Sequence, residues 1–262
     1  MRLGISALSI VGACLYSSCV LAGESGISSI NCATTSYRSV ISVFGGYANI
    51  NAGDRASYLG SEGTVYSYRS SKDGESDGFI GGFIGVEHPI SWYNLLVQAG
   101  VEYSYFGPVG VQGSNRVDML SGASTLYRYR YDYRAHQFLA SAKLLTTTYG
   151  RFHPYALAGI GAAVNYMGHF RATAVQTGGI DGSPFFRENN AIRFSYGVGL
   201  GVDLDVNPYT RFGLGYRFSG LGDGTLKRGR MLTNNQIISV PFALGTHNAH
   251  ANQLVAQLTF VV

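Results

Sequence analysis

The run from residue 193 to 206 limits the fold more than any other stretch of the chain. Phe194, Tyr196, Val198, Leu200, Val202, Leu204 and Val206 alternate there with Ser195, Gly197, Gly199, Gly201, Asp203 and Asp205. Successive side chains of an extended chain point to opposite faces, so this period of two separates an apolar face from a small, polar one. Strands of soluble domains usually stop after roughly 5–6 residues. At ~3.3 Å per residue and a tilt near 40°, roughly 13 residues climb about 33 Å, enough to cross an apolar layer. After Asn207-Pro208-Tyr209 the pattern resumes, with Phe212, Leu214, Tyr216 and Phe218 facing Arg211, Gly213, Gly215, Arg217 and Ser219 across the strand. The two runs predict a hairpin. A register that sets Asp205 opposite Arg211 places an ion pair just inside the turn, on the polar face.

Six further segments carry the same period. Residues 95–105 put Leu95, Val97, Ala99, Val101, Tyr103 and Tyr105 opposite Leu96, Gln98, Gly100, Glu102 and Ser104. Tyr127, Tyr129, Tyr131 and Tyr133 alternate with Arg128, Arg130, Asp132 and Arg134, after which the phase of the apolar set changes near Ala135 and continues to Leu145. A bulge is the expected cause, because one extra residue flips every later side chain. Ala156, Ala158, Ile160, Ala162, Val164 and Tyr166 share a face opposite Tyr155, Gly159, Gly161 and Asn165. Residues 39–47 and 78–88 are weaker, glycine-broken strands, and in 252–262 Leu254, Ala256, Leu258, Phe260 and Val262 share a face. The total is eight, an even number, as bacterial single-chain barrels require.

Composition says which solvent these faces meet. Charged residues are 13% of the chain, with 36 Gly, 19 Tyr and 14 Phe, against about 25% charged in ordinary soluble domains. The net charge of +4 is small and its Lys and Arg are scattered, which argues against a nucleic-acid partner. After residue 22 nothing approaches the ~18 consecutive apolar residues of a membrane helix. A mature chain that spans a membrane must therefore do so as a closed barrel, because lipid offers exposed backbone groups no partners.

The N-terminus reads as an export signal: Arg2, an apolar stretch from Leu3 to Leu15, and small residues ending at Ala22, with cleavage before Gly23. A competing reading takes Val11-Gly12-Ala13-Cys14 as a lipidation box with Cys14 as the first mature residue. The organisation expected is a signal over 1–22, a flexible segment over 23–37 and the barrel over 38–262. In the mature chain Cys32 stands alone and cannot form an internal disulfide.

Connections sharpen the fold. Long stretches (48–77, 107–126, 168–190 and 220–251) alternate with tight links near Pro89, Gly150 and Pro208, the order of an outer-membrane barrel with both termini on the short-turn side. Within the last stretch, residues 237–244 are apolar; Pro241 argues against a central strand there, and a ten-stranded alternative stays open. The expected architecture is all-β, a closed antiparallel up-and-down transmembrane β-barrel. Its polar face predicts a lumen network of Glu102, Arg128, Arg130, Asp132, Arg134, Arg193, Asp203, Asp205, Arg211 and Arg217. Its aromatics predict two interfacial girdles, Trp92, Tyr93, Phe152, Tyr155 and Tyr209 on the short-turn side and Tyr103, Tyr105, Tyr127 and Tyr129 on the other.

Pro154-Tyr155 followed by Gly159-Ile160-Gly161, the hairpin from Tyr196-Gly197-Val198-Gly199-Leu200-Gly201 to Gly213-Leu214-Gly215-Tyr216-Arg217-Phe218, and the alternating C-terminal strand together carry a resemblance. The chain resembles the small, porin-like outer-membrane barrels of the OmpA/OmpX and opacity-protein type over nearly its whole mature length. The resemblance implies Gram-negative outer-membrane lipids as surroundings, loops exposed at the cell surface, and recognition of the C-terminal strand by the barrel assembly machinery. Such barrels usually end in an aromatic residue, whereas this chain ends in Val262 with Phe260 two places earlier.

Three functions follow as expectations. The first is a structural or adhesin-like surface protein that meets host or extracellular ligands through its loops. The second is a small diffusion channel, disfavoured because an eight-stranded barrel is just wide enough for its side chains to fill. The third is a lipid-modifying enzyme, for which the sequence supplies only His247 and His250 in the last long stretch, without an adjoining acid or nucleophile. No catalytic, cofactor or metal site is expected: His-x-x-His lacks further zinc ligands, and the Gly-x-Gly runs sit inside strands.

Overall fold

The computed structural model describes residues 37–60, 63–70, 75–90, 93–118, 122–176, 184–233, 236–240 and 242–262. The expected signal, its cleavage site at Ala22 and Gly23, Cys14, Cys32 and Trp92 lie outside the described residues. In chain order the strands are β1 (Arg38–Asn51), β2 (Arg55–Leu59), β3 (Val65–Ser70), β4 (Glu75–Ile90), β5 (Leu95–Asp118), β6 (Ser124–Thr146), β7 (Phe152–Gln176), β8 (Phe185–Arg187), β9 (Asn189–Asn207), β10 (Thr210–Thr225), β11 (Lys227–Thr233), β12 (Gln236–Ser239) and β13 (Gly245–Val261).

Eight of these strands close a ring in the order β5, β4, β1, β13, β10, β9, β7 and β6, with β6 pairing back onto β5. Every pairing is antiparallel. The first and last strands seal it: the Ser39 N–H donates to the Val262 carbonyl at 2.8 Å, and the Val262 N–H donates to that of Ser39 at 2.9 Å. Tight links join β4 to β5, β6 to β7 and β9 to β10 at one end of the barrel. The described part of the apolar segment 237–244 does not enter the ring. Its β12 joins β11 and β8 in a separate three-stranded sheet, which removes the ten-stranded alternative.

Among the described residues the long stretches are mostly strand and not open loop, and this corrects the sequence reading. β5 and β6 run on together to the pair Asp118 and Ser124, so most of 107–126 is paired strand. β3 takes the place of β4 beside the far end of β5, with β2 on its outer edge. A strand-built dome therefore continues the wall beyond the ring.

The phase change expected near Ala135 is absent. Along β6, odd-numbered residues from Tyr127 to Leu145 all face inward without interruption. What changes is the solvent outside. Toward the short turns the outward set is Leu144, Ala142, Ala140 and Phe138, with Lys143, Ser141 and Gln137 inside; beyond His136 it is Arg134, Asp132, Arg130 and Arg128, with Tyr133, Tyr131, Tyr129 and Tyr127 inside. The bulges that do occur along β6 lie in its neighbours, between Phe106 and Val109 of β5, near His169 of β7, whose φ is 52°, and at Val175 of β7.

The short-turn part of the ring is thus inverted relative to a soluble domain. Ile41, Ile84, Val101, Ile160, Leu200, Leu214 and Leu254 are exposed outward from seven strands of the ring, while Glu102, Gln253 and Asp203 are buried within it. A belt of this extent exceeds the few hundred Å² of apolar patch that soluble monomers tolerate. The chain is a transmembrane β-barrel, with an ordinary apolar-inside dome at its long-connection end.

Candidate functional site: a filled lumen beneath an aromatic dome

Glycine on one wall decides what the lumen can hold. Gly201 and Gly215 face each other across β9 and β10, and a Cβ at Gly201 would stand 2.6 Å from the Tyr155 hydroxyl. Their missing side chains admit the Tyr155 ring into the lumen, where the Lys143 ammonium lies 3.8 Å from its centroid. Tyr155, expected in a girdle, is therefore an interior residue.

Charges stack above and below this ring. Next to the short turns, Glu87 accepts from Arg211 and Arg38, and from Gln98 Nε2 at 2.8 Å. Arg211 Nε also donates to Asp205 Oδ1 at 2.8 Å, across the register in which the two residues face each other. His153 Nε2 is 2.8 Å from the second Asp205 oxygen. Farther in, Lys143 Nζ donates to Asp203 Oδ2 at 2.6 Å. Then Arg217 donates to Glu102, with its guanidinium 4.8 Å from the Phe44 ring. Glu87, Glu102, Asp203 and Asp205 balance Arg38, Lys143, Arg211 and Arg217, so the plug is neutral by inventory. The space left among Phe44, Phe83, Glu102, Lys143 and Arg217 is about 10 Å³, room for a single water at most.

A neutral layer closes the ladder. Gln137 Nε2 donates to Ser195 Oγ and Gln253 Nε2 to Ser219 Oγ, both at 2.7 Å. Above it the Tyr133 hydroxyl donates to Asn165 Oδ1 at 2.9 Å, and Asn165 Nδ2 to the Leu221 carbonyl at 2.8 Å. The dome core follows: Tyr68, Tyr129, Phe170, Phe186 and Phe242 meet edge-on, tilted or stacked, with Tyr58 stacked on Phe242 at 4.3 Å.

Burial raises the phenol pKa of Tyr68, Tyr129 and Tyr131, with smaller contributions from Asp54 on the last two. A phenol whose folded pKa exceeds its unfolded value of about 10 contributes stability that is complete below pH 10 and drains as pH climbs toward the folded value. The dome should therefore loosen in alkali. Phenolate absorbance of the detergent-solubilised protein should show an early and a late phase, and Tyr131→Phe, which removes the hydroxyl that donates to the Ala52 carbonyl, should shrink the late one. A single unsplit transition would contradict this picture.

Of the lumen residues expected from sequence, Glu102, Asp203, Arg211 and Arg217 lie buried inside and Asp205 half-buried among them. Arg128, Arg130, Asp132 and Arg134 are corrections: they point outward above the apolar belt, because at that height the outer face meets water. Arg193 is also exposed, its guanidinium donating to the Ile192 carbonyl. The reading missed Glu87, Lys143, His153 and Arg38. Lys143 was lost to the supposed phase change, and Glu87 to the glycine-broken appearance of its strand.

Among the girdle residues, Tyr93, Phe152 and Tyr209 are exposed at the short-turn end and Tyr103 at the other, where Tyr105 is half-exposed. Tyr127 and Tyr129, like Tyr155, are corrections, since they fill the interior. Tyr47, Tyr196 and Tyr216 stand exposed in the outward face and were missed. His247 and His250 are separated: the His247 N–H donates to Asp54 Oδ2, whereas His250 stacks on Phe218. No group of three metal-ligating side chains occurs among the described residues.

No protein-family model matches the sequence, and no curated protein does. Solved structures with similar folds include Neisserial surface protein A, at 15% identity and TM-score 0.38 over 85% of this chain and 96% of that one. The attachment invasion locus protein Ail of Yersinia pestis matches at 11% identity and TM-score 0.35 over 85% and 98%. The outer membrane protease OmpT of Escherichia coli matches at 10% identity and TM-score 0.42 over 88% and 99%.

Proposed function

We propose that the chain is a non-enzymatic surface protein of the Gram-negative outer membrane, with its termini periplasmic, its C-terminal strand read by the assembly machinery, and its dome presented to the exterior for an adhesin-like or structural role. What supports this reading is the filled lumen. Three buried carboxylates and the half-buried Asp205 meet four cations there, and the space of about 10 Å³ among Phe44, Phe83, Glu102, Lys143 and Arg217 is too small for a solute. A barrel sealed in this way does its work on its surfaces. A rigid dome, rather than a set of long loops, is the surface on which side chains are held in fixed positions for a partner.

Purified protein in a planar bilayer should give no unitary current; reproducible unitary currents would transfer the reading to the diffusion channel. For the surface role, the β2–β3 hairpin is the unit to remove, because it leaves the ring pairing untouched. Bacteria displaying the hairpin deletion should adhere to host cells several-fold less well than those displaying the intact chain. Adhesion unchanged by this deletion and by truncation of the β11–β12 sheet would reduce the role to a structural one.

A further inference from the structure

One ring of the dome core is held unlike the rest. Tyr58, Tyr66, Tyr68, Tyr129, Phe170 and Phe186 project from strands, but Phe242 comes from the irregular chain between β12 and β13 and is only half-buried. The Val240 N–H donates to the Gly229 carbonyl, and the Leu244 carbonyl accepts from the Leu226 N–H. Between those two anchors the described residues supply one hydrogen bond, from the Tyr58 hydroxyl to the Ala243 carbonyl at 2.8 Å. A short segment tied by so few backbone bonds opens at lower cost than the paired strands around it.

Four rings surround Phe242. It stacks on Tyr58 with centroids 4.3 Å and planes 5° apart, and it meets Tyr66 at 5.3 Å, Phe186 at 5.8 Å and Tyr68 at 6.5 Å. The cage does not depend on its occupant. Tyr58 and Phe186 each touch Tyr68, with centroids 6.1 Å apart, while Tyr68 also packs on Tyr129 and Phe186 on Phe170, all at the separations of ordinary aromatic pairs. What the occupant fails to supply is a hydrogen bond. The Tyr58 and Tyr66 hydroxyls are taken, by the Ala243 carbonyl and by Met231 Sδ. The Tyr68 hydroxyl, on a side chain 2% exposed, has no partner. Buried hydroxyls are almost always bonded, and a phenylalanine ring beside this one carries no lone pair for it.

We infer that the cage is a binding site for a small, flat aromatic molecule carrying a hydrogen-bond acceptor, and that Phe242 fills it until that molecule arrives. The ligand's ring takes the place of Phe242 against Tyr58, and its acceptor receives the Tyr68 O–H. Expelling Phe242 breaks the Tyr58–Ala243 bond and moves the chain between Val240 and Leu244, while the strands of the dome keep their pairing. Apparent affinity is reduced by the fraction of chains in which Phe242 is out. Because the lumen beneath has no room for a solute, the molecule is held in the dome and not passed through the ring.

The test uses the folded, detergent-solubilised full chain, its folding verified by the difference in migration between heated and unheated samples. Para-fluorobenzamide, whose carbonyl is an acceptor, and para-fluorotoluene, of similar shape without one, are titrated separately, and saturable binding is followed by fluorine NMR. The wild type should bind the benzamide about tenfold more tightly than the toluene. Tyr68→Phe removes only an unpaired hydroxyl, so it should fold as well as the wild type, bind the toluene unchanged and lose the tenfold preference. Phe242→Ala should bind both molecules about tenfold more tightly, because nothing has to be expelled. A Tyr68→Phe variant that keeps the preference would overturn the site. So would a wild type that binds neither molecule saturably while Phe242→Ala binds both, since an ordinary core ring replaced by a dry cavity behaves in that way. Should Phe242→Ala fail to fold, the wild type and Tyr68→Phe decide alone, and a wild type without saturable binding then overturns the site.

Discussion

Replacing Glu102 with Leu while Arg217 remains is expected to destabilise the folded barrel by about 3–5 kcal/mol, because it leaves an uncompensated charge inside a closed lumen. The pair is buried on both sides, and the guanidinium has little else to turn to: the space around it is about 10 Å³. The companion Arg217→Met should cost a similar amount. The double variant should recover most of the loss, since an apolar pair of similar volume removes both desolvation penalties along with the attraction. Urea unfolding followed by the heat-dependent shift in migration reads all three. If the double variant is as weak as the sum of the singles, the residues act independently and the ladder is not a coupled plug. The prediction also separates plug from pore, because in a water-filled channel a lone Arg217 would simply hydrate.

How far the sequence carried this architecture depends on which physical signal each residue left. The hairpin of β9 and β10 was readable to the register, including Asp205 opposite Arg211, because lipid outside and a glycine-lined lumen inside differ as much as two faces can. Ring closure and the tight links followed from the same period. Failure came where a correct periodicity met a wrong assumption about solvent. Tyr127 to Tyr133 and Arg128 to Arg134 were correctly assigned to opposite faces, yet a period of two does not say which face is inside. The lipid rule put arginine inward, and it holds only within the apolar band. Beyond it β6 continues unbroken into water, so tyrosine goes in and arginine out. Mistaking this change of solvent for a bulge also hid Lys143, partner of Asp203. The glycine-broken look of its strand hid Glu87, and its partners Arg38, Gln98 and Arg211 come from three different strands that only tertiary closure brings together.

The change of solvent along one continuous wall makes its own prediction. Leu200 sits near the middle of the outward apolar run of β9 and is 67% exposed. In a soluble protein an arginine at so open a position would change stability by no more than about 0.5 kcal/mol. In a bilayer the same Leu200→Arg substitution should cost about 2–4 kcal/mol, because the guanidinium must be taken into hydrocarbon or drag water toward it. Arg128→Leu is the mirror experiment. It lies on the same outward side of the wall but above the band, where burying nothing and exposing a leucine should leave stability within about 0.5 kcal/mol of the wild type. Reversible unfolding in lipid vesicles, compared for the two variants, measures the contrast. A large effect at Leu200 with almost none at Arg128 places the water boundary between them. Equal effects would mean that the wall meets a single solvent along its length, and the inverted lower barrel would then lose its physical cause.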